Sequence, residues 1–510
     1  MQRSLLLLFL VWFGFLCRAQ QLVLIPVENH RQIESAFSND NLIIYHYDDE
    51  CMIATAKDFD QATMLLLDTD AFADGPYYLV HCPVEEQSQF LSREAKHCKV
   101  LNVYGNKLIV KSLSESFQPF SRDGMVVVSN IPAKLPMLRH SYPDVKAEDP
   151  RIRILINRIS DDSLMATVRH LQNYGTRQWD SDSVYAAQNW LVSRYEEKGL
   201  SVSLHDIDSF WNISTSDNVI AIQPGLVHPD EFVFCGAHYD SFTCDSLAPG
   251  ADDNASGTAA ILETARILSQ YRFERSIVYC AWAAEERGLL GSEAFATHAE
   301  NSGMDIWAYF NLDMTGYLEE GLPFYIPIVY SPFSDSLASY YKKVCKAYYP
   351  DMIVYLSWLP EGGDSDHSSF HRHGYQSIMP FEQYGHSSPY IHSGADTIGL
   401  SVNSPFQMRR FAEMNLACVA TLAGYIGGAS IEETAGNVSI YPNPVEHQLH
   451  VQADGIQQIR LYNVYGQLIK AVTLPAQDFT TLDLSDCPSG LYVLSLSTVR
   501  GVANRNIVVR

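Results

Sequence analysis

The sequence predicts a central α/β domain, a mostly parallel sheet that helices cover on both faces, between a β-rich or α+β domain and a small β-sandwich. Three observations support this. Near-continuous apolar strands alternate with helical segments in the centre, short alternating runs dominate both flanks, and 510 residues exceed one ordinary domain. The predicted boundaries are 1–19, 20–145, 146–430 and 436–510.

Residues 1–19 have the pattern of a signal peptide. Arg3 supplies a positive start, and the apolar run Leu5–Leu16 is short for a membrane span but suits a signal-peptide core. Ala19 is a small residue at a plausible cleavage position. Later apolar runs are too short to cross a membrane, so we expect an exported chain that is released or held at the outer cell surface.

Residues 20–145 alternate short strands with turns, and they show neither a motif of ligand-bearing residues nor a long internal repeat. Branched and aromatic residues dominate the predicted strands, which are Leu22–Val27, Leu42–Tyr47, Tyr77–Cys82, Val100–Val103 and Met125–Val128. The position of this region after the signal peptide suits a propeptide. A permanent accessory domain fits the pattern equally well.

A linker at Pro143–Pro150 precedes the central region, where helical and apolar segments alternate. The predicted helices are Ser160–Tyr174, Ser183–Lys198, Ala255–Gln270, a segment from about Leu290, and Pro405–Tyr425. The predicted strands are Phe232–Gly236, Ile277–Ala284, Trp307–Leu312, Phe324–Val329 and Ser377–Phe381. Functional sites in such sheets gather at the carboxyl ends of the strands.

Composition excludes some partners. With 59 acidic and 35 basic side chains the net charge is −24, which would repel nucleic acid and anionic membranes. Ten cysteines occur without a CxxC pair, so a structural zinc finger is not indicated. Cys235 and Cys280 lie in apolar runs and are predicted to be buried thiols.

Histidines and carboxylates follow several strands of the central region. His238 and Asp240 are two residues apart at a strand end and point the same way, so His238 could bind a metal while Asp240 orients its ring. Asp252 and Asp253 are adjacent at a helix start, which an ordinary acidic N-cap would also explain.

Glu285 and Glu286 end another strand, where a solvated acidic turn is the plainer explanation. Asp313 ends a third strand, and His392 lies on a loop before the last helix. Clustered carboxylates are costly to bury unless cations neutralise them. Nitrogen and oxygen ligands without thiolates favour zinc, with manganese or cobalt as alternatives.

These motifs together resemble the bacterial leucyl-aminopeptidase type of di-zinc exopeptidase in order and spacing, across about residues 150 to 430. The matching segments are His238-Tyr239-Asp240, Gly250-Ala251-Asp252-Asp253, Glu285-Glu286, Asn311-Leu312-Asp313 and Ile391-His392. The resemblance implies a metallo-aminopeptidase that cleaves residues from peptides with a free N-terminus, and our hypothesis is that apolar residues such as leucine are preferred.

The resemblance also implies roles for these residues. Asp252 would bridge two zinc ions, His238 and Asp313 would complete one metal site, and Glu286 and His392 the other. Asp240 would orient His238, and Glu285 would act as the general base. The family often has a cis peptide bond after the bridging carboxylate, which would fall between Asp252 and Asp253.

Residues 436 to 510 resemble the type IX secretion sorting domain of Bacteroidetes. The segments that carry this resemblance are Tyr441-Pro442-Asn443-Pro444, Leu461 to Gly466 and Ser489 to Val493. It implies that the type IX secretion machinery is a partner and that the chain crosses the outer membrane. A carbohydrate- or partner-binding sandwich is the alternative.

Three other functions share the predicted site. A glutaminyl cyclase uses one zinc ion on the same fold and usually carries Trp before the last His, where this chain has Ile391. A carboxypeptidase could use the same metal ligands. A receptor-like domain on a degenerate peptidase fold is disfavoured because every expected ligand and Glu285 are present.

Overall fold

A computed structural model describes most of the chain. The described residues are 20–48, 50–72, 76–82, 84–113, 125–128, 130–135, 140–211, 213–243, 247–357, 365–383, 385–428, 438–463, 467–499 and 501–510. The predicted signal peptide therefore lies outside them, as do residues 464–466 of the sorting-domain motif.

Two four-stranded antiparallel sheets make up the N-terminal domain, and each has one helix. The first unit contains β1 Gln21–Pro26, α1 His30–Phe37, β2 Leu42–Tyr47, β3 Cys51–Ala56 and β4 Leu65–Asp68. The second contains β5 Tyr77–His81, α2 Val84–Glu94, β6 Cys98–Tyr104, β7 Lys107–Ser112 and β8 Met125–Val128.

The two units are a structural repeat. Their strand orders are β2-β3-β1-β4 and β6-β7-β5-β8, so each strand of the first unit has a counterpart in the second. The sheets pack face to face through alternating apolar residues, among them Leu22 and Leu24 of β1 and Tyr77 and Leu79 of β5. The repeat is evident in the strand order of the two units, whereas their amino-acid sequences do not show it.

An eight-stranded sheet forms the centre of the molecule. Its strands are β9 Ser201–His205, β10 Asn218–Gln223, β11 His228–His238, β13 Arg275–Trp282, β14 Asp305–Asn311, β15 Tyr325–Tyr330, β16 Ile353–Ser357 and β17 Ser377–Pro380. The order is β16-β15-β17-β14-β11-β13-β10-β9. The four central strands β17, β14, β11 and β13 are parallel, and antiparallel pairs join the strands at both sides. The sheet is thus mixed, with the predicted parallel centre.

Helices cover both faces of this sheet, as predicted. They are α3 Pro150–Ile156, α4 Asp161–Gln172, α5 Asp182–Glu196, α6 Asp208–Trp211, α7 Gly257–Leu268, α8 Leu290–Ser302, α9 Asp335–Tyr348, α10 Asp366–Arg372 and α11 Pro405–Ala423. One apolar core contains α7 and α11, and a second contains Phe295 of α8 and Phe370 of α10. Two short strands, β12 Tyr271–Phe273 and β18 Tyr425–Gly428, pair with each other.

The strands of the C-terminal region form one hydrogen-bonded network, where the sequence predicts a small β-sandwich. Its strands are β19 Ser439–Tyr441, β20 Gln448–Asn463, β21 Leu468–Asp483, β22 Gly490–Thr498 and β23 Gly501–Val509. Two strands predicted at Gln448–Val451 and Ile459–Val464 are the two ends of β20, and β20 pairs with β19, β21 and β22. The pairing of β20 shifts register between Gln452 and Ile456, and apolar residues of the paired strands, such as Leu449, Leu461, Leu494 and Ile507, share one buried core.

The described cysteines are free thiols, and Cys235 and Cys280 are buried as predicted. Among the described residues, no helix is long and apolar enough to cross a membrane.

Candidate active site

The site lies where parallel strands of the central sheet end. His238 is the last residue of β11 and is 1% exposed. Its Nδ1 lies 3.4 Å from Oδ1 of the fully buried Asp240. Asp240 also accepts hydrogen bonds from the backbone amides of Glu285 (3.1 Å) and Glu286 (3.2 Å). Asp240 therefore orients the imidazole, as expected, and holds the start of the next loop as well.

Asp253, and not Asp252, lies between the two histidines. Its Oδ1 is 3.3 Å from Nε2 of His238, and its Oδ2 is 3.0 Å from Nε2 of His392. A bridging ligand needs two carboxylate oxygens that face two positions, and of the two adjacent aspartates Asp253 has this arrangement. The geometry therefore differs from the prediction that Asp252 bridges, and it favours Asp253 for that role.

Asp252 points away from the histidines, to the opposite side of the turn. Its Oδ1 accepts a hydrogen bond from the backbone amide of Gly316 at 2.7 Å, and its carboxyl group lies beside that of Glu382. Oxygens of Glu382 accept from the amides of Tyr317 and Ser388. Burial raises the pKa of both carboxyl groups well above their usual range. Through Gly316, Tyr317 and Ser388, the two side chains tie together the loops that carry Asp313 and His392.

The turn Ala251–Ser256 explains why two adjacent aspartates diverge. Gly250 before it has a left-handed backbone with φ 54°, which a side chain would strain. The carboxylate of Asp396 accepts from the amides of both Asp252 (2.9 Å) and Asp253 (3.1 Å). With its backbone fixed there, the turn directs consecutive side chains to opposite sides. The cis peptide bond follows Asp253, one bond later than expected.

Glu285 and Glu286 occupy the loop after β13. An oxygen of Glu286 is 3.0 Å from Nε2 of His392, and an oxygen of Glu285 is 3.8 Å from Nε2 of His238. Burial raises the pKa of Glu286 to about 7. Burial also raises the pKa of Glu285 well above its usual range, and His238 opposes that rise. The structure thus brings both glutamates into the cluster, as the sequence predicts.

Asp313 completes the cluster at the end of β14. Its Oδ1 is 3.3 Å from Nε2 of His238, and its Oδ2 accepts a 2.6 Å hydrogen bond from the hydroxyl of Ser365. The same hydroxyl accepts from the side-chain amide of Asn311 at 2.9 Å. Ser365 therefore fixes one oxygen of Asp313 and leaves the other facing His238.

Sequence reasoning missed the residues that support the cluster. Asp396, Glu382 and Ser365 are buried and belong to none of the matching segments. Asp396 lies four residues after His392, and its acidic side chain was the available signal. Glu382 follows an apolar strand just as Glu285 does. This position could have indicated a role near the site, but Glu382 belongs to none of the motifs.

These residues suit a pair of metal ions. Three ligand atoms within 4.8 Å of one another are offered by His238, Asp253 and Asp313, and three more by Asp253, Glu286 and His392. A further triplet joins His238, Glu285 and Glu286. Within the described part of the chain, the buried Oε1 of Glu286 has no hydrogen-bond partner. A buried, unpaired carboxylate oxygen beside imidazole nitrogens is the environment that a divalent cation stabilises.

The charge balance leads to the same conclusion. Burial alone would lower the pKa values of His238 and His392, but the surrounding carboxylates raise both well above the usual range. Arg177 is a buried cation nearby, yet its guanidinium donates to the backbone carbonyls of Leu171, Tyr239, Pro249 and Gly250. It helps to shape the loops, and among the described residues no ion pair joins it to a carboxylate of the cluster. A bound cation would therefore offset the surplus negative charge.

Comparisons with known proteins agree with this geometry. Residues 218–419 match the model of peptidase family M28, and residues 439–510 match a secretion system C-terminal sorting domain. A probable leucine aminopeptidase of Arthroderma otae is 30% identical over 271 residues, covering 51% of this chain and 72% of the relative. Leucine aminopeptidase 1 of Ajellomyces dermatitidis is 32% identical over 289 residues, covering 53% and 73%.

Solved structures show the same fold. LapB of Legionella pneumophila aligns with a TM-score of 0.56 at 20% identity, over 68% of this chain and 99% of LapB. LapA aminopeptidase of the same organism aligns with a TM-score of 0.52 at 21% identity, over 80% and 99%. At these identities the structures support the fold alone. On the sequence relationship, the chain belongs to peptidase family M28, and its enzyme class is metallo-aminopeptidase.

Proposed function

We propose that this protein is an exported, two-zinc aminopeptidase that removes N-terminal residues from peptides. The observation that carries the proposal is the position of Asp253, whose two oxygens face His238 and His392. One ion would be held by His238, Asp253 and Asp313, and the other by Asp253, Glu286 and His392. Bound there, zinc would supply Lewis-acid polarisation of the scissile carbonyl and acidify the attacking water.

Glu285 is the residue that moves the proton. Both ligand sets are complete without it, and its carboxylate lies at their edge, 3.8 Å from Nε2 of His238. It takes a proton from the attacking water and delivers it to the leaving amine. The amides of Glu285 and Glu286 are both held by Asp240, so the base and the neighbouring ligand move as one unit.

A free N-terminus and an apolar first side chain suit the surroundings of the cluster. Its carboxylates attract the α-ammonium group of a peptide. The ring of Phe242 meets the ring of His392 edge-on at 5.6 Å, and Tyr317 meets Tyr390 in the same way at 6.4 Å. These half-buried aromatic rings support an apolar pocket for the first residue.

Export follows from the two ends of the chain. We propose that residues 1–19 are a signal peptide and that the sorting domain directs the protein through the type IX machinery. The match of residues 439–510 to a secretion sorting domain supports the second step. The protein would then act outside the cell, released or attached at the surface.

A substrate panel with metal analysis tests the function. We expect two zinc ions per chain, hydrolysis of leucyl-p-nitroanilide and no attack on N-blocked peptides. One zinc ion with cyclisation of N-terminal glutaminyl peptides would indicate a glutaminyl cyclase instead. Release of C-terminal residues from N-blocked peptides would indicate a carboxypeptidase, and no turnover would indicate a binding domain.

A substitution tests the proposed base. Glu285→Gln should lower kcat by about 100-fold to 10,000-fold and leave the zinc content at two, because Glu285 completes neither ligand set. Glu320→Gln, at an exposed glutamate, is the matched control and should leave kcat unchanged. Undiminished turnover in Glu285→Gln would reject its role.

A further inference from the structure

The N-terminal domain shares its apolar core with the catalytic domain. Tyr78 and Val80 of β5, Leu108 and Val110 of β7, and Val127 of β8 belong to the same contiguous cluster of buried residues as the helices and strands of the central sheet. Continuous apolar burial of this kind is typical of permanent interfaces. Separation would expose large side chains on both surfaces, whereas an inhibitor that is later removed needs surfaces that tolerate water.

The second unit of the domain contacts the loop Ala284–Leu289, which carries both glutamates. The amide of Val127 donates to the carbonyl of Gly288 at 3.5 Å. Arg287 is 5% exposed, with its guanidinium 4.0 Å from the centre of the Trp179 ring. Tyr78 of β5 belongs to the apolar core that the two domains share.

That loop needs external support. Ala284 and Leu289, at its two ends, have left-handed backbones with φ values of 51° and 65°. Side chains other than glycine adopt such angles only where surrounding contacts compensate the strain. Asp240 holds the first half of the loop through two amides, and the N-terminal domain contacts the second half.

The first unit contacts α10 through the segment that leaves the N-terminal domain. The amide of Ala133 donates to the carbonyl of Ile44 at 2.8 Å, and the hydroxyl of Tyr47 donates to the carbonyl of Lys134 at 2.9 Å. Lys134 in turn donates its amide to the carbonyl of Arg372 and pairs with Glu300 of α8. Both units are therefore anchored on elements that surround the active site.

The described part of the N-terminal domain does not cover the metal-ligand cluster completely. With the domain in place, the side chains of Glu285 and Asp313 are each 11% exposed, and that of His392 is 10% exposed. A domain that contacts the back of the catalytic loop without closing its front acts as a brace.

We propose that the N-terminal domain stays bound in the mature enzyme and positions the loop Ala284–Leu289, through the hydrogen bond of Val127 to Gly288 and the shared core that contains Tyr78. The positioning role rests on the function proposed for Glu285 and Glu286. The permanence of the interface does not, because it follows from the shared core.

Cleavage of the linker tests permanence without an activity measurement. A specific protease site is inserted between the exposed Lys146 and Ala147 of the full chain. After cleavage, the two parts should elute together from a gel-filtration column, and turnover should be unchanged. Elution of the N-terminal part by itself, or a rise in turnover on cleavage, would overturn the proposal in favour of a removable inhibitor.

A matched pair of substitutions tests positioning. Tyr78 and Tyr45 are each 7% exposed, but Tyr45 lies between the two sheets of the N-terminal domain. Tyr78→Ala should lower kcat at least about 10-fold, because small misplacements of catalytic groups are costly, and should speed hydrogen exchange of amides 284–289. Tyr45→Ala should change neither kcat nor the exchange rate of these amides. Tyr78→Phe keeps the aromatic ring, so both quantities should stay at the values of the unsubstituted chain.

Two outcomes contradict the positioning role. Equal effects of Tyr78→Ala and Tyr45→Ala would show general destabilisation of the chain. No effect of Tyr78→Ala would show that Tyr78 does not help to position the loop. If Tyr78→Ala does not fold, Tyr78→Leu takes its place in the same comparison. The hydrogen-exchange result stands even if the chain has no aminopeptidase activity, so the two proposals can fail separately.

Discussion

In the N-terminal domain, protein side chains balance the charges of a buried cluster. In the active site, by contrast, the carboxylates outnumber the basic side chains that face them. Nζ of the fully buried Lys107 lies 2.9 Å from Oδ2 of Asp48 and 2.6 Å from Oε2 of Glu50. In the active site, Asp253, Glu285, Glu286 and Asp313 face two histidines, and the guanidinium of the nearby, buried Arg177 donates to backbone carbonyls.

The difference identifies which cluster is structural. A buried ion pair that meets its own charge requirement needs no ligand. A cluster with surplus carboxylates must take up protons or cations. Burial, together with the charge of Asp253, raises the pKa of Glu286 to about 7. The four predictions below test this contrast, beginning with the largest expected effect.

Removal of metal should destabilise the active-site domain most. At a zinc concentration 1,000 times the dissociation constant, bound metal adds about 4 kcal/mol to the free energy of unfolding. We therefore expect a chelator to lower the melting temperature by several degrees in calorimetry, and added zinc to restore it. A melting curve that is indifferent to chelator and zinc would contradict the metal site.

Loss of Lys107 should destabilise the N-terminal domain. Lys107→Met leaves Asp48 and Glu50 without their buried partner, and we expect a loss of about 3 kcal/mol in urea unfolding. Zinc content should not change. Lys111→Met is the control, since the shallower pair of Lys111 with Asp68 should be worth about 1 kcal/mol. Equal losses for the two variants would show that burial of Lys107 has no special role.

Adjacent aspartates should differ in their effect on metal binding. Asp253→Asn removes one of two facing oxygens, and we expect metal affinity to fall at least about 100-fold, as measured by competition with a fluorescent chelator. Asp252→Asn keeps an oxygen for the Gly316 amide and can donate to Glu382, so its affinity should stay close to that of the unsubstituted chain. The reverse result would restore Asp252 as the bridging residue.

Acid should weaken the N-terminal domain through a buried histidine. Burial, aided by the charge of Lys107, lowers the pKa of His81 to about 3, whereas the unfolded chain has a value of about 6.5. Below pH 6.5 the unfolded state binds the extra proton, so this contribution to stability falls by about 1.4 kcal/mol per pH unit until about pH 3. His81→Gln should reduce that slope between pH 6 and 4 in urea titrations; an unchanged slope would contradict it.

The sequence was informative wherever local pattern decides the outcome. Strands at Leu42–Tyr47 and Met125–Val128 match their predicted bounds, because branched and aromatic runs between turns have few other stable conformations. His238, Glu286, Asp313 and His392 end or follow strands, and parallel strands deliver such residues to one edge whatever the details of packing. The cluster was therefore predictable as a set.

Choices between neighbours needed the tertiary structure. Asp252 and Asp253 are the same residue type at adjacent positions, and only the hold of Asp396 on their amides directs one to the histidines and the other to Glu382. The repeat in the N-terminal domain depends on strand order, which side-chain composition does not encode. Its contact with the Glu285–Glu286 loop joins Val127 and Gly288, which are 161 positions apart (288 − 127). Such contacts are specified by packing rather than by local pattern.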